Sequence, residues 1–261
     1  MYETISYKEN HGYSILTLNR PDQLNSFNQV MHDELKDVFD KQIRENETRC
    51  LLLTGNGRAF SAGQDLNERK FEPVNPPDLG SSLEDNYNPL VQRITSLECP
   101  VVCAVNGLAA GAGIGIALAC DIVLAARSAE FIFSFSNVGL GMDCGSSWSL
   151  PRLAGLPRAM AAAMLGERVS AQKAEEWGMI WKCVDDDTLI EDAHEIADKL
   201  SKKPTKALAM IKKELRSSFS NTLEQQLKLE AECQHEAGLS NDYYEGIRAF
   251  FEKRDPDFKG K

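Results

Sequence analysis

The chain has 261 residues, of which 43% are hydrophobic and 26% are charged, a composition typical of a globular protein and not of a disordered or fibrous one. Its formal net charge is −10, so its average surface repels nucleic acid and anionic membranes, and we expect neither as a partner. The seven cysteines are scattered without a CxxC pair and the four histidines lie far apart, which predicts reduced core thiols and no metal site.

Two further absences bear on location. Residues 1–14 are polar where a secretory signal would need an apolar run. No uncharged stretch approaches the ~18 apolar residues that a transmembrane helix requires. We therefore expect a cytoplasmic protein.

Strands and helices alternate from the start of the chain. Residues 13–18 alternate apolar and polar side chains as a half-buried strand does, whereas residues 50–54 and 100–105 are continuous apolar runs typical of buried strands. The first two strands flank a segment, 29–46, whose apolar residues fall on one helical face. The remaining elements of this part are predicted as helices at 82–97 and 112–120 and strands at 121–126 and 130–133. Such alternation predicts an α/β fold with a mostly parallel sheet.

Helices dominate after residue 150. Ser170 can cap a helix that ends at Gly178, Thr188 with Glu191 matches a capping box, and Pro204 can open a third helix. Two more helices are predicted, at 221–237 and 242–253.

These elements indicate one sheet-containing body, residues 1–200, followed by a helical C-terminal region, residues 201–261. The proline-containing stretch 67–87 is predicted to be a long irregular connection, which in proteins is usually a functional lid or a disordered excursion.

Two glycine-containing turns follow buried strands, where α/β proteins place ligands. They are FSAGQDL at residues 60–66 and NGLAAGAG at 106–113, the second leading into an apolar helix. Small residues let a ligand approach the main chain, and a helix N-terminus offers free N–H groups. Together the turns could form an oxyanion hole, although either turn alone is better explained as a tight turn packed against backbone.

A dinucleotide site is a weaker interpretation of the second turn. Gly111 and Gly113 begin like the Rossmann fingerprint, but Ile116 or Ala117 stands where the third glycine belongs. Asp121 is also too close to serve as the ribose-binding acid.

Asp143 is the third candidate. It lies in a glycine-rich loop between Met142 and Cys144, where partial desolvation would raise its pKa toward a range useful for proton transfer. The alternative is that Asp143 caps a helix that starts near Ser146.

Longer segments carry a family resemblance. LNRPDQLNSF at 18–27, GRAFSAGQDL at 57–66 and AVNGLAAGAGIGIALACDIVLA at 104–125 together resemble the enoyl-CoA hydratase/isomerase, or crotonase, family, across nearly the whole chain. The resemblance implies a ββα spiral core with a helical C-terminal trimerisation region. It also implies an acyl-CoA thioester substrate, no cofactor beyond the CoA of the substrate, and a homotrimer or dimer of trimers, with pathway enzymes as further candidate partners.

The resemblance assigns site residues as well. Ala62 and Ala112 would donate the oxyanion-hole N–H groups, and Asp143 would be the catalytic acid/base. The substrate-binding residues would be Ser61, Gly63, Gln64, Asp65, Leu66, Gly111, Gly113 and Arg20.

The departures from the hydratase pattern favour isomerisation. The family's hydratases use two glutamates, but Gly115 matches the first position and the second falls at or near Phe135. No acidic residue occurs between Phe131 and Met142. Asp143 instead lies where some isomerases of the family carry a lone carboxylate.

Four further segments, residues 49–69, 87–93, 135–155 and 174–189, are similar to one branch of the family. That branch converts ring-1,2-epoxyphenylacetyl-CoA to an oxepin thioester in phenylacetate degradation, with double-bond isomerisation of enoyl-CoA as a side activity. The alternatives are a fatty-acid 3,2-enoyl-CoA isomerase, a thioester hydrolase with Asp143 as nucleophile, and a non-catalytic scaffold.

The negative charges of CoA need local cations in an acidic protein. Those in suitable segments are Arg20, Arg58, Lys70, and Lys253 or Lys259 from a neighbouring subunit, although each is individually better explained as a solvated charge. The apolar stripe of Leu223, Leu227 and Ala231 fits either an internal core or a trimer interface.

Overall fold

Two β-sheets form the body of the protein. The computed structural model describes residues 1–68 and 77–261. The strands are β1 Ile5–Asn10, β2 Tyr13–Leu18, β3 Leu51–Gly55, β4 Ala59–Ser61, β5 Val101–Val105, β6 Leu108–Ala110, β7 Ile122–Ala126, β8 Glu130–Ile132, β9 Arg168–Ser170 and β10 Lys182–Val184. The larger sheet has six strands in the order β1-β2-β3-β5-β7-β10, and the smaller has four in the order β4-β6-β8-β9.

Both sheets are mainly parallel. Among the strands of the described residues, only the β1–β2 pair of the larger sheet and the β8–β9 pair of the smaller sheet are antiparallel. Every residue of β3 and of β5 is buried, as expected for strands covered on both faces. From β3 onward, successive strand pairs place one strand in each sheet, which gives the ββα spiral that the family resemblance implied.

The strands predicted at 13–18, 50–54, 100–105, 121–126 and 130–133 are confirmed to within a residue or so. Five others were not predicted. Four of these, β4, β6, β9 and β10, have only three residues, too few for a periodic pattern. The fifth, β1, is an edge strand with a polar sequence, ISYKEN.

The helices cover the sheets and extend the chain. They are α1 Gln29–Asp37, α2 Leu79–Ser82, α3 Asn88–Ser96, α4 Ala112–Ala119, α5 Ser146–Ala154, α6 Leu156–Leu165, α7 Ala171–Glu176, α8 Leu189–Ser201, α9 Thr205–Ser217, α10 Leu223–Gly238 and α11 Asn241–Glu252. A π-helical segment, Val38–Gln42, and a last turn, Ile43–Glu45, continue α1, so the helix predicted at 29–46 is confirmed. A second π-helical segment, Leu83–Tyr87, joins α2 to α3.

Two local predictions were wrong. Residues 69–76 of the stretch 67–87 lie outside the described residues, but its later part is not irregular, because Asp78 accepts a hydrogen bond from Ser81 N and starts a helical run. The predicted capping box at Thr188 is absent, since the Thr188 hydroxyl donates to Asp185 O instead of capping α8. Ser170 caps α7 as predicted, accepting from Lys173 N.

The C-terminal helices are tied back to the sheet body. Lys212 and Arg216 of α9 reach the carboxylate of Asp121 at 2.8 and 2.9 Å. Arg49 donates to Phe258 O, and Asp242 accepts from the main chain of the final residues. These contacts cross residue 200, so the division at that point remains a prediction.

Apolar side chains remain exposed on several helices. On the adjacent helices α5 and α6 they form what we call the helix-pair surface: Trp148, Leu153, Leu156, Met160, Met164 and Leu165. Farther along the chain, Leu223 and Leu227 of α10 are 75% and 55% exposed, so most of the predicted stripe is not intramolecular core. None of the helices in the described ranges combines the length and apolarity needed to cross a bilayer.

Candidate active site

The two glycine turns lie against each other. Gly63, at φ +89°, follows β4, and a Cβ placed on it would lie 3.0 Å from Ala110 O and 3.3 Å from Ala112 N. Gly113 is equally close to the first turn, since its Cβ position lies 2.6 Å from Ser61 O. Side chains at these glycines would push the turns apart, so both glycines are needed for the contact.

The second turn presents a helix N-terminus. Gly111 adopts φ +52° and ψ −125°, a conformation that only glycine tolerates readily, and α4 begins at the next residue. Ala112 therefore occupies the first helical position, where the N–H has no partner within the helix. Because the helix dipole also favours negative charge there, Ala112 N–H is suited to hold a developing oxyanion, and this role stays a prediction.

In the first turn, the main-chain N–H of Ala62 is already hydrogen-bonded inside the protein. It donates to Leu24 O at 2.9 Å, within the fold. This bond argues against the predicted role of Ala62, because an amide directed at Leu24 cannot face a ligand beside Ala112. The sequence could not show this, since the partner lies 38 residues away.

The main-chain N–H of Gln64 is better directed toward Ala112 than that of Ala62. Gly63 O accepts from Phe27 N at 2.7 Å, on the side of the turn where Leu24 also lies. Since the C=O and N–H of a trans peptide point in opposite directions, Gln64 N–H points away from Phe27. The opposite side of the turn is the side that packs on Gly111 and Ala112.

The side chain of Gln64 is held in place. Its Oε1 accepts from the Tyr87 hydroxyl at 2.7 Å, and its Nε2 donates to Phe27 O at 3.2 Å. Tyr87 is 1% exposed and packs edge-on against His32, with ring centroids 4.4 Å apart. Tyr87 was not among the predicted site residues, although its motif, YNPLVQR, was part of the resemblance.

Arg20 and Asp65 were predicted to bind substrate, but they bind each other. Arg20 Nη1 lies 2.8 Å from Asp65 Oδ2, and it also donates to Ser26 O at 2.7 Å. Burial would raise the pKa of Asp65, but hydrogen bonds from Arg20 and Asn67 hold it below its usual range. The pair fastens the first turn to the segment after β2, so Arg20 is not a free cation for CoA.

The other two predicted residues of the first turn, Ser61 and Leu66, differ in solvent exposure. Ser61 is fully buried, and its Oγ donates to Asn25 O and accepts from Gly63 N, a structural role. Leu66 is 70% exposed, and a substrate contact there stays a prediction.

Asp143 does not cap a helix with its side chain. Its main-chain O accepts from Ser146 N at 2.9 Å and Ser146 Oγ at 2.6 Å, and Gly145 precedes α5 without a side-chain cap. The residue is half-buried, with Oδ1 shielded from solvent. The Asp143 carboxyl is thus not used as a helix cap, and its catalytic role stays a prediction. Next to it, burial and then the Asp143 charge raise the pKa of the Cys144 thiol, which disfavours the reactive thiolate form.

The remaining predicted cations are dispersed. Arg58 and Lys253 are exposed, and Lys259 pairs with Asp257 at 2.7 Å. Lys70 lies outside the described residues. A CoA-binding role for these side chains stays a prediction.

Known proteins are similar to this chain over nearly its whole length. The sequence pattern of the enoyl-CoA hydratase/isomerase family matches residues 8–261. The 1,2-epoxyphenylacetyl-CoA isomerase of Escherichia coli (strain K12) is 53% identical over 100% of both chains. A probable enoyl-CoA hydratase of Rhodobacter capsulatus is 42% identical over 100% of this chain and 99% of the relative.

A solved structure shows the same architecture. The crystal structure of a putative enoyl-CoA hydratase from Streptomyces coelicolor A3(2) superimposes with a TM-score of 0.92 at 33% identity, covering 100% of this chain and 96% of that one. The predicted family and fold are therefore confirmed: the chain belongs to the enoyl-CoA hydratase/isomerase family.

Proposed function

We propose that this chain isomerises ring-1,2-epoxyphenylacetyl-CoA to its oxepin thioester, and that it also shifts the double bond of enoyl-CoA thioesters. The observation that carries the proposal is the 53% identity, over both full lengths, to the 1,2-epoxyphenylacetyl-CoA isomerase of Escherichia coli. The reaction needs no added cofactor, since CoA is part of the substrate.

The two turns supply the electron sink. The thioester oxygen would accept hydrogen bonds from Ala112 N–H and, in place of Ala62, from Gln64 N–H. Negative charge develops on this oxygen when a proton leaves Cα, so fixed donors stabilise the enolate more than the substrate. A single donor of this kind is typically worth about 2.7 to 4 kcal/mol.

Asp143 would move the proton. In the double-bond shift its carboxylate takes a proton from Cα, the electron pair enters the thioester to form a dienolate, and the same carboxyl returns the proton to Cγ. The double bond then lies between Cα and Cβ, and no atom is gained or lost. In the epoxide reaction we propose that the same carboxyl assists ring opening and the accompanying proton transfer.

Simple hydration is disfavoured by the same residues. Adding water needs one group to activate the water and another to protonate carbon. Gly115 offers no side chain, and residues 131–142 contain no acid, so Asp143 would have to do both.

Asp143→Asn tests the proposal. We expect the variant to bind phenylacetyl-CoA as the wild type does but to lose at least about a hundredfold in kcat, the low end for general acid–base catalysis. Turnover can be followed in parallel on ring-1,2-epoxyphenylacetyl-CoA and a 3-enoyl-CoA, with binding measured by calorimetry.

The pair of substrates separates the alternatives. A kcat/KM that is higher for the 3-enoyl-CoA would favour a fatty-acid isomerase instead. Near-normal turnover by Asp143→Asn would refute the role of the carboxyl group, and a covalent acyl-enzyme would indicate a nucleophile.

A further inference from the structure

Gly115 lies in a contact that no side chain could share. It is buried in α4, and a Cβ placed on it would lie 2.5 Å from both Cβ and O of Cys144. Real Cβ atoms do not approach other atoms so closely, and one of the two atoms belongs to the backbone. The loop that carries Asp143 therefore rests directly on the bare surface of α4 at Gly115.

The loop has little freedom to withdraw from this contact. Cys144 is 2% exposed and adopts φ +50°, which is uncommon for a residue other than glycine, and Gly145 follows at φ +71°. The two hydrogen bonds from Ser146 to Asp143 O close the loop on its other side. A methyl group at residue 115 must therefore displace Cys144, and with it Asp143.

The same helix carries the oxyanion donor. Ala112 precedes Gly115 by three residues, so the two lie on one face of α4, about 4.5 Å apart along its axis. The contact between Gly115 and Cys144 thus sets how far the Asp143 loop stands from Ala112 N–H.

We propose that Gly115 is a positioning residue that holds the Asp143 loop at the distance isomerisation requires and excludes a second carboxylate from the site. The proposal rests on the isomerase function proposed above. It follows that Gly115→Glu would not add hydratase activity to the enzyme. It would displace the only carboxyl group available between residues 131 and 145.

Gly115→Ala tests the proposal, with Gly141→Ala as its control. The control adds the same methyl group two residues before Asp143, where nothing lies within 4 Å. For 3-enoyl-CoA isomerisation we expect Gly115→Ala to lower kcat at least tenfold while the Kd of acetyl-CoA stays within threefold. Gly141→Ala should stay within twofold of the wild type in both. A kcat for Gly115→Ala within twofold of the wild type would overturn the proposal.

A second pair of variants covers the case in which Gly115→Ala does not fold. Cys144→Ala keeps the Cβ that rests on Gly115, and Cys144→Gly removes it while tolerating the positive φ. We expect kcat of Cys144→Gly to be at least threefold below that of Cys144→Ala, because the glycine frees the loop. Equal values would overturn the proposal.

Assays of the wild type distinguish failure of the proposed isomerase function from failure of the positioning role of Gly115. If it turns over acyl-CoA and needs Asp143, but the variants at 115 and 144 behave as their controls, only the positioning role fails. A wild type without activity on any acyl-CoA overturns the proposed function and the inference together.

Discussion

His32 is buried behind the first turn without being part of its hydrogen-bonded network. The ring packs against Phe27 and Tyr87, and its Nε2 is shielded from solvent with no hydrogen-bond partner among the described residues. Burial lowers the pKa of His32 to about 4, so the imidazole is neutral at pH 7. Its role is apolar support for Tyr87, and through Tyr87 for Gln64.

This burial predicts a specific pH dependence of stability. The unfolded chain binds a proton at His32 below its ordinary pKa of 6.5, whereas the folded chain does so only near 4. Stability is therefore lost as pH falls from 6.5 to 4, by roughly 3 kcal/mol for a shift of this size.

We expect His32→Phe to be free of this loss. Urea titrations at pH 7, 5.5 and 4 should show the unfolding free energy of the wild type falling relative to the variant. His11, which is exposed, provides the control: His11→Asn should follow the wild type at each pH. Parallel curves for the wild type and His32→Phe would contradict the argument.

Helix starts show how an element depends on one short-range bond. Thr222 Oγ1 accepts from Gln225 N and the Gln225 side chain accepts from Thr222 N, a complete capping box before α10. Thr188 precedes α8 with a similar sequence but makes no such bond. In the turn before α8, Asp185 O takes the hydroxyl instead.

Thr222→Ala and Thr188→Ala form a matched pair. The first should destabilise the start of α10 by about 1 kcal/mol, a typical value for loss of an N-cap, and the second should change α8 much less. Hydrogen exchange of the first-turn amides measures both, because α10 can fray without global unfolding. Equal effects would show that the capping geometry does not decide helix stability here.

Many large apolar side chains are exposed to solvent on the surface of the single chain. The helix-pair surface has six exposed apolar side chains on two adjacent helices, and Phe250 and Phe251 of α11 are each 78% exposed. Several large apolar side chains exposed on adjacent helices are typical of protein–protein interfaces. It supports the predicted homotrimer or dimer of trimers, which stays a proposal.

Sedimentation tests the assembly. A 29.0 kDa chain should sediment with three or six times that mass. Met160→Glu/Met164→Glu should shift the protein toward the monomer, because the two residues share one face of α6 and would bury charge in an interface. Ile190→Glu on α8, at a similar exposure of 43%, should not change the mass. A monomeric wild type would rule out the oligomer.

Local sequence determined much of this protein. The apolar runs at residues 50–54 and 100–105 specify buried strands, because a strand with apolar side chains on both faces must be covered on both. Gly111 with Ala112 specifies a helix N-terminus beside a strand end. Longer motifs indicated the family, since their order reflects a common fold. These features depend on neighbours a few residues away.

Only the tertiary structure decided which groups face the site. Ala62 N–H donates to Leu24 O, Arg20 forms an ion pair with Asp65, and the Tyr87 hydroxyl donates to the side chain of Gln64. The contact between Gly115 and Cys144 likewise joins residues 29 positions apart. The sequence could not reveal these pairings, because the direction of an amide or the space beside a glycine depends on segments that only folding brings together.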